Sequence, residues 1–258
     1  MKNIKEAITM ANSLLPKGVI YPAELLMKHD LTKNPDREYL SYLVNGGAGG
    51  GYHHWLTLLL KHSEAKTIVE LGNRYGSSTI ALYHGLKPDQ VLYSLDIVKD
   101  QRFVPEVIYS DQRVKFVIGD ALDLNSYLDN NIDIPIDIDI FWTDTEHFYE
   151  QVAAEFDVYE PLFSDEAIIV MDDINMNDTR QLFDAMPFEK YDLTSFCHGS
   201  GFGVIHYVRD EKERGKSRLE RINQSLLNSS KIIYGKYQRN LIELERNKKV
   251  LANYLLMN

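Results

Sequence analysis

The chain predicts an α/β fold in three layers: a mainly parallel sheet, an antiparallel hairpin at its C-terminal end, and helical additions before and after it. Two observations carry this expectation. Between residues 67 and 209, β-rich runs alternate with helical patterns, the arrangement of successive βαβ units with a two-sided sheet. The last two runs have no helix between them and are expected to pair as a hairpin. The length of 258 residues, 44% of them hydrophobic and 26% charged, is enough for one generous core and excludes disorder as the main state.

Taken in order, Ile4, Ala7, Ile8, Ala11 and Leu14 recur at helical spacing up to Pro16. A glycine run over 46–51 then reads as a mobile connector or as a lid over a site, ahead of His53 and His54. Strands follow at Thr67–Leu71, Val91–Asp96, Val114–Gly119, Ile138–Thr143, Ala167–Ile174 and Gly203–Arg209, with a weaker one near Tyr191–Phe196. Helices are expected at Ser77–Leu86, Phe148–Phe163 and Thr179–Met186. In the tail, Leu219, Ile222, Leu226, Ile233, Tyr237, Leu241, Leu244, Leu251 and Leu255 are spaced by three, four or seven, with a phase slip near Asn228-Ser229-Ser230. That slip predicts two helices, packed on the body or on another subunit. The organisation is therefore a helical N-terminal region with a glycine-rich loop over 1–60, an α/β domain over 61–210 and a helical tail over 211–258.

Charge and cysteine content narrow the function. The net charge of −10 divides into −16 over residues 1–210 and +6 over the tail. An acidic body repels a phosphate backbone, so nucleic acid is not the expected partner. No run approaches about 18 uncharged apolar residues, so no membrane span is expected. Glu6 and Asn12 interrupt the stretch where a signal peptide needs continuous apolar residues, and the single cysteine, Cys197, excludes a disulfide framework. The cytoplasm is the compartment these features suggest.

Ligands of open parallel sheets bind beyond the carboxyl ends of the strands. After the first strand stands Glu70-Leu71-Gly72-Asn73-Arg74-Tyr75-Gly76-Ser77-Ser78-Thr79. Gly72 and Gly76 allow a tight turn and close approach to a ligand, and Ser77 and Ser78 open the next helix. Asp96 ends the second strand, placed to accept hydrogen bonds from a ribose diol. Gly119-Asp120-Ala121 ends the third, with a carboxylate for an adenine amino group. The fourth strand runs into Asp144-Thr145-Glu146-His147 and the fifth into Asp172-Asp173. If these strands are neighbours, three carboxylates converge and call for a cation; hard oxygen ligands suit Mg²⁺ or a similar ion. His147, three residues after Asp144, is then a candidate general base. Asp144 has a second possible use, capping the helix that follows, and His198 reads as a turn residue.

The stretch 67–209 resembles class I S-adenosylmethionine-dependent methyltransferases, with VELGNRYGSST as their first motif and LYSLD and FVIGDALD as the next. The resemblance implies the Rossmann-like sheet of that family. It implies cofactor contacts from Glu70, Gly72, Asn73, Gly76, Ser77, Ser78, Asp96, Asp120 and Ala121. The Asp144-x-x-His147 and Asp172-Asp173 pattern is similar to metal-dependent O-methyltransferases of macrolide sugars and to cephalosporin-hydroxylase-like proteins, where the acidic pair is often Glu-Asp. By that likeness, Asp144, Asp172 and Asp173 hold the metal and His147 is the base, acting on a hydroxyl of a small molecule such as a sugar. Two other classes compete. One is a non-catalytic assembly protein using its helical tail, which also suggests a homo-oligomer; the other is a nicotinamide-dependent oxidoreductase, disfavoured because the glycines are spaced G-x-x-x-G.

Overall fold

A computed structural model describes residues 4–14, 50–99, 104–195 and 197–256. The expected glycine loop lies outside these residues apart from Gly50 and Gly51, which open a helix. The seven strands are β1 (Thr67–Leu71), β2 (Val91–Asp96), β3 (Val114–Ile118), β4 (Ile138–Thr143), β5 (Phe163–Asp172), β6 (Glu189–Asp192) and β7 (Phe202–Val208). They form one sheet in the order β3-β2-β1-β4-β5-β7-β6. The first five pair in parallel, and β7 runs antiparallel to both β5 and β6.

The alternation of side chains along each strand divides the core into two layers. Ile68, Ile140, Trp142, Ile168 and Val170 point to one face, and Val69, Leu71, Phe141, Ile169 and Met171 to the other. Helices α1 (Ile4–Leu14), α2 (Gly50–His62) and α3 (Ser77–Gly85) border the first face. There Trp55, Leu56, Leu59 and Leu60 of α2 are fully buried against the sheet. Each such side chain stabilises the fold by about 1.5–3 kcal/mol relative to exposure. Short helices α4 (Glu106–Tyr109) and α5 (Asn125–Asp129) flank β3, and α6 (Tyr149–Tyr159) and α7 (Thr179–Ala185) follow β4 and β5. The second face is filled by Tyr127 of α5, Tyr159 of α6, Leu162, Phe163 and Tyr207.

β5 and β6 begin a few residues earlier than the sequence indicated, and two helices differ more from expectation. The helix read as Phe148–Phe163 stops at Tyr159, and a 3-10 turn over Glu160–Leu162 leads directly into β5. Pro161 is the cause, since proline disfavours helical backbone before it and donates no hydrogen bond. The tail forms one 39-residue helix, α8 (Arg218–Leu256), where two were expected. Its polar slip carries no proline or glycine, and its side chains find partners on the body without leaving the helix. Asn228 Nδ2 donates to the Asp157 carbonyl at 2.7 Å and Ser229 Oγ to the Leu122 carbonyl at 2.6 Å. Among the described residues no helix is long and apolar enough to cross a membrane.

Candidate active site

The carboxyl ends of β1 to β5 converge on one rim, where the strand order reverses between β1 and β4. The turn after β1 is shaped by its glycines. Gly72 has φ +82° and Gly76 φ +93°, a region that side chains other than glycine adopt at a cost. A Cβ on Gly72 would lie 2.1 Å from the Asp144 carbonyl oxygen, so only glycine lets the loops after β1 and β4 touch. Asp144 N in turn donates to the Leu71 carbonyl at 2.9 Å, which fixes the start of the β4 loop beside the glycine turn.

Two adjoining cavities open here and share Gly72, Arg74, Asp144 and Thr145. The first, about 320 Å³, is lined by the ends of β2 and β3, including Asp96, Asp120 and Ala121. Asp96 accepts hydrogen bonds from the backbone of Arg74 (2.6 Å) and Val98 (3.0 Å), which holds its carboxylate at the cavity wall. Asp120 Oδ1 accepts from Leu122 N at 2.9 Å. The second cavity, about 350 Å³, contains Asn73, Ser77, Ser78, His147, Asp172, Asp173 and His198.

Glu70 does not line either cavity, contrary to the expected contact with a ligand. Its fully buried carboxylate accepts from Ser78 Oγ (2.6 Å), Thr79 Oγ1 (2.6 Å) and Ser94 Oγ (2.5 Å). Burial raises its pKa despite these bonds. Glu70 thus braces β1, β2 and α3 beneath the turn. Gly76 likewise shapes the turn from outside both cavities.

The acidic cluster contains more than the sequence indicated. His198 is not simply a turn residue: its side chain is 3% exposed and Nε2 lies 2.7 Å from Asp172 Oδ1. Asp172, Asp173 and His198 offer three ligand atoms within 4.8 Å of one another. The antiparallel register pairs Asp172 with Phe202, and the Asn175 amide donates to the Ser200 carbonyl at 2.8 Å, which brings the turn before β7 over the aspartates. His147 Nε2 lies 3.2 Å from Asp173 Oδ2 and 3.9 Å from Asp144 Oδ1. Asp144 does not cap α6; Asp178 Oδ1 accepts from the Tyr149 amide instead, at 2.8 Å. Burial, then the charges of Asp172 and Asp173, hold the Asp144 carboxyl well above its usual range. Burial and Asp172 raise Asp173 in the same way. For His198, burial disfavours the charged ring, but the hydrogen bond and charge of Asp172 outweigh it and raise the pKa.

A third feature lay outside the motifs. Glu155 of α6, fully buried, accepts from Thr143 Oγ1 (2.6 Å), Thr145 Oγ1 (2.6 Å) and Gln151 Nε2 (2.8 Å). This network anchors the loop that carries Asp144 to α6. The i, i+4 spacing of Gln151 and Glu155 was visible in the sequence, but their inward direction was not.

The sheet order, the glycine turn after β1 and the carboxylates at the ends of β2 to β5 are those of the Rossmann-like methyltransferase fold. Residues 69–174 match the model of a methyltransferase domain family. No curated protein matches the chain at the sequence level. Among solved structures, the chain is similar to the S-adenosylhomocysteine-bound methyltransferase PaMTH1 of Podospora anserina, with 16% identity and a TM-score of 0.53 over 80% of this chain and 97% of that one. It is also similar to the cofactor-bound protein Rv0187 from MTB, with 19% identity and a TM-score of 0.52 over 77% and 96% of the two chains.

Proposed function

We propose that the protein transfers a methyl group to a hydroxyl oxygen of a small polyhydroxylated molecule, a sugar or glycoside, with a divalent cation at Asp172, Asp173 and His198 and with Asp144 beside them. The observation that carries this reading is the position of His147. It stands in the polar cavity next to both the glycine turn and the carboxylate cluster, 3.2 Å from Asp173.

The residues fit both groups. Gly72 leaves open the space a Cβ would fill between the two loops, and Asp96 and Asp120 present acceptors at the nucleoside end. Carboxylate oxygens with one imidazole suit Mg²⁺ or Mn²⁺. When bound, S-adenosylmethionine supplies the electrophilic methyl group, and the divalent ion supplies a Lewis acid that acidifies the acceptor hydroxyl. His147 receives the hydroxyl proton, and Asp173 orients its ring and stabilises the charge it gains. Asp172 fixes His198 through their 2.7 Å contact. The polar lining of the reaction cavity, with Asn73, Ser77 and Ser200, favours an acceptor rich in hydroxyls.

The test is methyl transfer from labelled S-adenosylmethionine to a panel of sugars and glycosides, with Mg²⁺ or Mn²⁺ and after chelation. Transfer to oxygen that chelation abolishes is the expected result; full turnover in chelator contradicts the metal, and transfer only to nitrogen or carbon contradicts the acceptor. His147→Ala should lower kcat by about 10²–10⁴-fold, the usual contribution of a general base, and leave S-adenosylhomocysteine affinity near that of the wild type. An active His147→Ala enzyme would remove the base assignment.

We infer further that a second copy covers the outer face of α8, where Tyr234, Tyr237 and Ile242 are 58–69% exposed. Sedimentation of the full chain tests this: a dimer is expected, and a monomer at micromolar concentration contradicts it.

A further inference from the structure

Lys236 stands at the wall of the first cavity, opposite the ends of β2 and β3, although it belongs to α8. Its place on the helix is not accidental. Ser225, Ser229 and Lys236 are separated by four and seven residues, so all three lie on one stripe. Ser225 Oγ donates to the Val158 carbonyl and Ser229 Oγ to the Leu122 carbonyl, which shows that the stripe faces the body. Two turns beyond Ser229, where an apolar side chain would continue the packing, the sequence places a lysine. Its Nζ lies 3.1 Å from Gln151 Oε1, and Gln151 Nε2 donates to the buried Glu155.

The donors and acceptors around this cavity are unequal. Asp96, Asp120, Asp144 and Glu146 present acceptors, Thr145 spends its hydroxyl proton on Glu155, and the charged donors of the lining are Arg74, which also borders the second cavity, and Lys236, which borders the first alone. An adenosine brings an amino group and ribose hydroxyls that can donate to these carboxylates. It also brings ring nitrogens that accept only, and these need a donor from the protein. An ammonium has three protons, of which the Gln151 contact uses one.

We propose that Lys236 is a cofactor-binding residue that donates a hydrogen bond to the purine of S-adenosylmethionine, so that α8 completes the nucleoside half of the site. The proposal rests on the methyltransferase reading above. Gln151 and Glu155 hold the lysine in place, and Ser229 ties the same helix to the loop carrying Asp120 and Ala121.

The experiment compares wild type, Lys236→Met and Lys236→Arg in the full chain, by calorimetric titration with S-adenosylhomocysteine and with 5′-methylthioadenosine, which keeps the purine and lacks the amino acid. Lys236→Met should weaken both ligands by the same factor, about tenfold for a lost charged hydrogen bond, and Lys236→Arg should recover part of it. Thermal unfolding of the ligand-free variants should match the wild type. Unchanged affinity in Lys236→Met overturns the proposal, as does a loss confined to S-adenosylhomocysteine. A lower unfolding temperature of the ligand-free Lys236→Met protein with normal affinity would assign the lysine to packing and overturn it equally. Wild-type protein that binds neither ligand overturns the cofactor reading itself, and the purine contact with it.

Discussion

Gly72 shows how one residue type decides the geometry of the rim. Its φ of +82° and the 2.1 Å approach a Cβ would make to the Asp144 carbonyl exclude any side chain unless two loops separate. Gly72→Ala is expected to cost about 3 kcal/mol, from strained backbone plus the clash, and to weaken cofactor binding; urea unfolding and titration measure both. A variant as stable as the wild type would show that the two loops can part freely. Away from the rim, Arg113 beside Asp111 illustrates charge pairing. Arg113 Nη2 lies 2.6 Å from Asp111 Oδ2, and the guanidinium hydrogen bond lowers the Asp111 pKa from 3.8 to about 2. A depressed carboxylate stabilises the fold above its unfolded pKa, so this contribution is complete above pH 4 and is lost as pH falls through about 2. Because the pair is near the surface, its contribution is under about 1 kcal/mol. An Asp111 carbon chemical shift that titrates near 2 is the expected observation; titration near 3.8 would contradict the pairing.

At the scale of elements, strands were the most legible part of the chain. β1, β2 and β4 occupy the residues that the apolar runs indicated, because covering both faces of a parallel strand leaves few choices of residue. The placement of Asp96, Asp144 and Asp172 at strand ends followed from the same runs. What pairing across the sheet decides was not legible. His198 meets Asp172 only because β7 returns antiparallel to β5, and local sequence shows a glycine-flanked histidine with no such partner. Glu70 was expected among the cofactor contacts on the family resemblance; its strand direction instead aims it at three hydroxyls of the interior. Continuity of α8 was hidden for a related reason, since Asn228 and Ser229 break an apolar heptad yet hydrogen-bond to backbone of other elements. Ser229→Val should therefore destabilise the protein by about 1–3 kcal/mol, leaving the Leu122 carbonyl without its partner and crowding the loop that carries Asp120. Chemical denaturation measures the change; a neutral result would mean that α8 is not seated through this contact.

For the molecule as a whole, the sheet separates two tasks. On the function proposed above, its β1 to β3 ends form a nucleoside half and its β4 to β5 ends a reaction half, in two cavities that share Gly72 and Asp144. The final α8 crosses from the 3-10 turn, where Arg221 Nε donates to the Pro161 carbonyl at 2.8 Å, to the nucleoside half at Lys236. Occupancy of that half should therefore be felt in global stability. The most direct measurement is thermal unfolding with S-adenosylhomocysteine or with NAD, each with and without Mg²⁺. At a concentration a hundred times Kd, a ligand that binds the native state adds about 2.7 kcal/mol, which for a chain of this size raises Tm by roughly 5–10 °C. The expected result is such a rise with S-adenosylhomocysteine and none with NAD, increased further when Mg²⁺ is present. A rise with NAD alone, or no response to S-adenosylhomocysteine at any concentration, would contradict the account.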